Sequence, residues 1–381
     1  MSKARNLSLL STVEAGATTD QTKADINALG INRGRKNMVI NGGMQVAQRG
    51  TSFTGNTSGS KYTADRFKVQ IGDAGTFTFD NSSTAPEGFS NSSHMNCTTA
   101  FSVASGTYLL FSQDFEGQDL QQAAYGTASA KQMTVSFWCR ATKTGSLSVV
   151  IRQEDASQRM FSKNVTINTA NTWEKKSVVI PADTGGTINN DSGKGLQIAW
   201  WVNGGSTYGG GSEQTTWGAQ THTNKYTGTL NIGASTADNF YLTGVQLELG
   251  SVATDFEHRS YGEELALCQR YYQRFGAPDD AQVLPFAGMC VSSSVVYFVG
   301  QTYVPMRVQP TGSSVNPSNF RVRNASNSGI PTISSLGVSA YSNTLFIATA
   351  ENASGLTAGH ASHLFNYNGS NYGYIQLDAE L

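Results

Sequence analysis

Between Asn37 and His258 the chain alternates apolar with polar positions. Met133, Val135, Phe137 and Cys139 are interleaved with Thr134, Ser136, Trp138 and Arg140, and Phe77 and Phe79 alternate with threonines. The same period returns in Leu147, Val149 and Ile151, in Val178 and Ile180, in Leu196, Ile198, Trp200 and Val202, and in Val245, Leu247 and Leu249. Successive side chains of a strand point to opposite faces, so a period of two marks a sheet with one buried face. Turn residues at Thr144-Gly145, Gly185-Gly186 and Gly204-Gly205 separate the runs. Many short strands with no helices between them predict a sandwich or jelly roll over residues 37–258.

A helix is predicted next, within a connecting segment of residues 259–276. Ser260-Tyr-Gly-Glu263 has the form of a capping box. Leu265, Cys268, Tyr271, Tyr272 and Phe275 continue it as a stripe over 262–275, and Gly276 ends it. Alternation then resumes in Val295, Tyr297 and Val299 and again in Ile375 and Leu377, which predicts a smaller β domain over 277–381. At the other end, residues 1–36 contain a short helical pattern starting at Thr19 or Asp20 and stopping at Gly30. Its Ala24, Ile26 and Leu29 are too few for a core. The segment therefore packs on the next domain or a neighbouring chain, or is a loosely ordered leader. The expected fold is all-β, with one short helix joining two β domains.

Composition narrows the function. The chain has 40 Gly, 18 Phe and 15 Tyr but only 14% charged residues, which suits strands and tight turns more than solvated helices. With 26 basic and 27 acidic residues the net charge is −1, and Arg33, Arg35 and Lys36 form the only basic cluster. Nucleic-acid binding, which needs concentrated cations to displace counterions, is not expected. No stretch approaches the run of about 18 apolar residues that marks a membrane span, so insertion is not expected either. Met1 to Leu10 lacks the apolar core of a secretory signal, so synthesis in a cytoplasm without export is expected. Cys97, Cys139, Cys268 and Cys290 are widely spaced, and the five histidines form no ligand motif. No metal and no cofactor are predicted.

Three blocks carry a resemblance. The first is Asn37-Met-Val-Ile-Asn-Gly-Gly-Met-Gln-Val-Ala-Gln-Arg-Gly50, followed by Tyr62-Thr-Ala-Asp-Arg-Phe67. The second is Val135-Ser-Phe-Trp-Cys-Arg140, with Asn171-Thr-Trp-Glu174 and Val179-Ile-Pro181 downstream. The third is Phe240-Tyr-Leu-Thr-Gly-Val-Gln-Leu-Glu-Leu-Gly250, running through Thr254-Asp-Phe-Glu-His-Arg259 to Glu264-Leu-Ala-Leu-Cys-Gln-Arg-Tyr-Tyr-Gln-Arg-Phe275. In this order they resemble phage tail-fibre and minor virion proteins whose central part is similar to a carbohydrate-binding-module jelly roll. Ser2-Lys-Ala-Arg-Asn6 and Val304-Pro-Met-Arg307 extend the likeness toward the two ends. The resemblance implies a homotrimeric component of the virion tail. Residues 1–36 would attach to other tail or virion proteins, the C-terminal region would point away, and a host-surface glycan is the implied ligand.

Two sets of side chains are candidates for that work. Trp201 lies on the strand face opposite Trp200, and with Tyr208 and Trp217 it forms either an exposed aromatic platform for sugar rings or packing within a sheet or interface. Leu265, Cys268 and Tyr272 either pack on their own domain or line a trimer contact. Asp114 with Glu116, or Glu154 with Asp155, are the carboxylates that a glycoside hydrolase would place about 5–9 Å apart. No catalytic motif accompanies them, and the expected protein is not an enzyme. A purely structural spacer or decoration protein and a polysaccharide depolymerase are the alternatives.

Overall fold

The computed structural model describes residues 35–381 apart from residues 156, 277–282, 325–331, 352, 354 and 367–372. The helical pattern starting at Thr19 or Asp20 lies outside the described residues, as does nearly all of the attachment segment 1–36.

The first β unit contains β1 (Ser52–Asn56), β2 (Gly59–Ala64), β3 (Phe67–Gly72), β4 (Thr76–Ser82), β5 (Ser92–Thr99), β6 (Tyr108–Glu116), β7 (Met133–Ala141), β8 (Gly145–Gln153), β9 (Arg159–Ile167), β10 (Glu174–Ile180), β11 (Lys194–Gly204), β12 (Gly218–Ala219) and β13 (Asn239–Leu249). They form two antiparallel sheets, six-stranded in the order β1-β4-β5-β13-β7-β10 and seven-stranded in the order β12-β9-β8-β11-β6-β3-β2. The sheets pack as a jelly-roll sandwich. The inward alternate positions fill the space between them, with Val135, Phe137 and Phe240 from one sheet and Phe67, Phe111 and Trp200 from the other. Trp200 is fully buried, its ring 6.3 Å from Phe67 and 5.8 Å from Phe137. Full burial of an aliphatic or aromatic side chain of this kind stabilises by about 1.5–3 kcal/mol before conformational entropy is counted.

β13 shows how the alternation survives an irregularity. Its register against β7 slips between Thr243 and Gln246, with Gly244 at φ 60°. The extra residue shifts the parity, so that Leu242 and Val245 both face the core. Only glycine fits there, since a Cβ would stand 2.7 Å from the Phe89 ring and 2.8 Å from that of Trp138.

The helix, α1 (Tyr261–Gln269), opens on the predicted capping box. Ser260 Oγ accepts from the Glu263 amide at 3.4 Å, and the Glu263 carboxylate accepts from the Ser260 amide at 3.3 Å. The expected continuation to 275 is corrected by the structure, because Tyr272–Phe275 is a strand, β14. The sequence Tyr271-Tyr-Gln-Arg-Phe275 satisfies a helical stripe and a strand alternation equally, and aromatic residues favour the strand. Pairing settles the matter. β14 hydrogen-bonds to a later strand, and the fully buried Gln273 donates to the carbonyl of Val304 and accepts from the Tyr303 amide.

The remaining strands are β15 (Val283–Cys290), β16 (Val295–Gln301), β17 (Thr311–Val315), β18 (Phe320–Asn324), β19 (Ser335–Ala340), β20 (Leu345–Glu351), β21 (Ala361–Asn366) and β22 (Tyr374–Asp378). They make a three-stranded sheet, β14-β22-β17, and a six-stranded sheet, β18-β21-β15-β16-β20-β19. A second hydrophobic core lies here, built on Phe275, Phe286, Phe298, Phe320 and Phe346. In β16 the alternating set Val295, Tyr297 and Val299 is corrected, because the buried positions are Val296, Phe298 and Gly300 while Tyr297 and Val299 are exposed. The run Val295-Val-Tyr-Phe-Val299 is apolar at every position, so alternation alone could not select its inward face.

A seam of buried charge joins the two cores, and residues 38–381 form one compact unit. Arg66 stacks 3.5 Å over the Tyr271 ring, pairs with Glu380 and donates to the carbonyl of Asp114. Arg49 lies between Tyr62 at 4.5 Å and Tyr272 at 3.7 Å and reaches Asp378 at 3.0 Å. Arg270 donates two hydrogen bonds, of 2.8 and 2.7 Å, to the fully buried Glu116, which also accepts from the Tyr271 hydroxyl. Beyond the helix, then, residues 378–380 return to the sandwich. Among the described residues no helix is long and apolar enough to cross a membrane.

Candidate functional site

The outer face of the seven-stranded sheet carries the positions of β11 that alternate with its core residues. Trp200, Ile198 and Leu196 point inward, which leaves Trp201, Ala199 and Gln197 outside. The registers line up three cross-strand rungs on this face. Gln197 pairs with Arg152 of β8 and Asp114 of β6. Ala199 pairs with Val150 and Ser112, and Ser112 in turn with Lys68 of β3. Trp201 pairs with Ser148 and Leu110, and Leu110 with Gln70. From Trp201 to Gln197 the face runs about 13 Å along β11.

One end of the ladder is aromatic. Leu110, Val150, Met160, Ala199, Trp201 and Tyr226 form a small apolar cluster outside the main core, with Tyr108 and Tyr208 packed against it. The connection from β11 to β13 lies over this end. It is held by the Thr227 amide donating to Ser148 Oγ at 3.0 Å and the Gln214 amide donating to Ser162 Oγ at 2.9 Å. The Tyr208 ring is 5.4 Å from that of Trp201 and covers it, so Trp201 is only 6% exposed while Tyr208 remains half-buried. Beside them, Gly204, Gly205, Gly209, Gly210 and Gly211 rim a shallow depression of about 430 Å³.

The other end is charged. Asp114 accepts from Gln197 at 2.7 Å and from Lys68 at 3.0 Å, and Lys194 pairs with it at 3.0 Å and with Glu154 at 3.3 Å. Arg152 pairs with Glu154 as well. Burial by itself would raise the Asp114 carboxyl, but Lys194 and Lys68 outweigh it and hold the group below the usual carboxylate range. Asp114 is therefore ionised at neutral pH.

Lys225 stands between the two ends. It is 5% exposed, its ammonium lies 5.7 Å from the Tyr208 ring centre, and it sits 3.4 Å from His222 Nδ1. Burial and the positive charge of Arg152 push it down to about 8, with Glu154 only partly opposing them. Lys225 in turn lowers His222.

The structure brings Trp201 and Tyr208 together and places Trp217 elsewhere. Trp217 packs on Tyr125 at 5.8 Å and Phe161 at 6.3 Å, at the margin of the main core, and its indole donates to the carbonyl of Pro181 at 2.7 Å. The three-membered exposed platform is thus corrected to one half-buried ring, Tyr208, because Trp201 is buried beneath it and the connection folds back along β9 between Tyr208 and Trp217. Of the three residues read as packing on their own domain or lining a trimer contact, two take the first role. Cys268 and Tyr272 are 0% and 1% exposed within a single chain, and Leu265 is half-buried. Tyr272 left the helix for β14, where its hydroxyl donates to Gln376 and its ring supports Arg49. The carboxylates regroup too, with Glu116 bound to Arg270, Asp155 accepting from Asn189, and Asp114 meeting Glu154 across Lys194.

Lys68, Arg152, Lys194, Gln197 and Lys225 were not singled out from the sequence. Alternation could have put Gln197 on the Trp201 face, but the neighbours come from strand order, which periodicity does not contain. All four cysteines are buried and free, and among the described residues no group of three or more His, Cys, Asp or Glu side chains is placed to hold a metal ion.

No protein-family model matches this sequence, and no curated protein matches it. Solved structures do align. The enzymatically active domain of a tailspike protein from bacteriophage CBA120 aligns at 15% identity over 56% of this chain and 21% of that one, with a TM-score of 0.30. A family 11 carbohydrate-binding module of a cellulosomal cellulase from Clostridium thermocellum aligns at 12% identity over 60% of this chain and 100% of that one, with a TM-score of 0.26. A xylan-binding domain from Paenibacillus barcinonensis aligns at 10% identity over 58% of this chain and 100% of that one, with a TM-score of 0.24. Likenesses of this size assign no function to the chain, whose all-β jelly-roll architecture stands on its own strand order.

Proposed function

We propose that this chain is a structural protein of a phage tail that adsorbs to host-surface carbohydrate through the outer face of its seven-stranded sheet. One observation carries the reading. Tyr208, lying over Trp201, ends a ladder whose other end carries the half-buried Lys68, Arg152 and Lys194 above the buried Asp114–Gln197 pair. Flat aromatic faces take the C–H faces of sugar rings, and convergent amides and charges fix their hydroxyls. The phage setting is supported by the three sequence blocks that resemble tail-fibre and minor virion proteins. Homotrimeric assembly and attachment through residues 1–36 belong to the same proposal. The protein binds without cleaving, since Asp114 is held ionised among cations and so suits hydroxyl recognition better than proton donation.

Adsorption of the full-length protein to host cells and to a glycan array tests this. Tyr208→Ala is expected to weaken binding several-fold through lost stacking, while Trp217→Ala, away from the ladder, leaves binding unchanged. No binding by the folded wild-type protein would make the chain a structural spacer. Released reducing ends would make it a depolymerase.

A further inference from the structure

The outer face carries more positive than negative charge, and one of its cations forms no ion pair among the described residues. Four cations, Lys68, Arg152, Lys194 and Lys225, face two carboxylates, Asp114 and Glu154. Asp114 and Glu154 are taken up by Lys68, Lys194 and Arg152. Lys225 pairs with no carboxylate among the described residues, and its polar neighbour is the His222 ring. Holding an ammonium in a mostly buried side chain against an imidazole, with no carboxylate in contact, is costly, since buried charges are normally paired. Here Arg152 adds a second positive charge, which makes the free site less favourable still.

Geometry places this charge where a ligand would lie. Lys225 and His222 flank the half-buried Tyr208 ring, the aromatic member of the ladder that Trp201 supports from below. An anion at this point would add to the partial compensation that Glu154 gives Lys225 while the sugar carrying it lies on Tyr208. We propose that the site selects an acidic saccharide, bearing a carboxylate, sulfate or phosphate, with the anionic group at Lys225 and Arg152 and the ring on Tyr208. This rests on the reading of the outer face as a glycan site and specifies the class of glycan.

The test is equilibrium binding of the full-length protein to three acidic probes, a polygalacturonate oligosaccharide, a heparin oligosaccharide and a phosphorylated mannan, beside neutral dextran. Wild type, Lys225→Met and Tyr208→Ala are compared, each checked for folding by its thermal transition. At least one acidic probe is expected to bind wild type on the order of tenfold or more tightly than dextran. Lys225→Met should remove that preference and keep residual neutral binding, and the acidic probe that wins identifies the anion. Should Lys225→Met fail to fold, salt titration of the wild type replaces it, since a preference that does not fall with added salt overturns the proposal. Dextran binding as tight as the best acidic probe, lost in Tyr208→Ala and kept in Lys225→Met, overturns the acidic specificity and leaves the glycan site standing. Absence of binding to all four probes, with adsorption to host cells also absent, overturns both.

Discussion

Replacing Glu380 with alanine strikes the seam between the two cores. Glu380 pairs with Arg66, which is only 2% exposed and stacked on Tyr271, and lies 3.3 Å from Arg49. Arg49 keeps Asp378 and Asp65 in the variant, whereas among the described residues Arg66 retains only the carbonyl of Asp114 as a hydrogen-bond acceptor. Breaking one side of a buried pair leaves an uncompensated charge and costs about 3–5 kcal/mol. That is a large part of the roughly 5–15 kcal/mol by which folded proteins are stable. With a urea dependence of about 3 kcal/mol per molar, the midpoint falls by about 1 M or more. The assay can also locate the damage. All five tryptophans, at positions 138, 173, 200, 201 and 217, belong to the jelly roll, so their fluorescence reports that unit alone, while far-UV circular dichroism reports every sheet. Wild type is expected to give coincident transitions. Glu380→Ala should separate them, with ellipticity lost before fluorescence as the second core undocks, and Glu380→Gln should fall between. Coincident transitions within about 0.3 M of wild type, a shift too small for any buried pair, would refute the reasoning.

Two other perturbations are sharp. Gly244→Ala places a Cβ 2.7–2.8 Å from Phe89 and Trp138 at a left-handed φ, so strain and overpacking together should cost about 2–4 kcal/mol, read as a lower thermal midpoint; a loss under about 0.5 kcal/mol would mean that the bulge relaxes freely. Acidification should erase the advantage of wild type over Glu116→Gln. Burial alone would raise Glu116, but hydrogen bonds from Arg270 and Tyr271 outweigh it, so its folded pKa lies below the unfolded value of about 4.3. The unfolded chain thus binds the proton first, and the contribution, complete at neutral pH, is lost as pH falls through that depressed folded value. A stability gap between the two proteins that stays constant from neutral pH to below pH 3 would contradict this.

Local chemistry was legible from the residues themselves. Period-two runs marked the jelly-roll strands, because burial of one sheet face acts on every second side chain whatever the sheet order. Ser260 and Glu263 marked the start of α1, because a cap is made within four residues. Other decisions needed long-range partners. Tyr272–Phe275 became strand because β22 was there to pair with it. In β16 the buried face was chosen by the packing around Phe298 and not by a pattern apolar at every position. The candidate face was decided in the same way. The sequence of β11 put Trp201 opposite Trp200, but only the antiparallel order β8-β11-β6-β3 set Arg152, Asp114 and Lys68 beside Gln197 and Ser112. It also took the long connection after β11 to lay Tyr208 and Lys225 over that face while carrying Trp217 away from it. Side-chain direction is a property of adjacent residues, whereas a site is a meeting of distant ones.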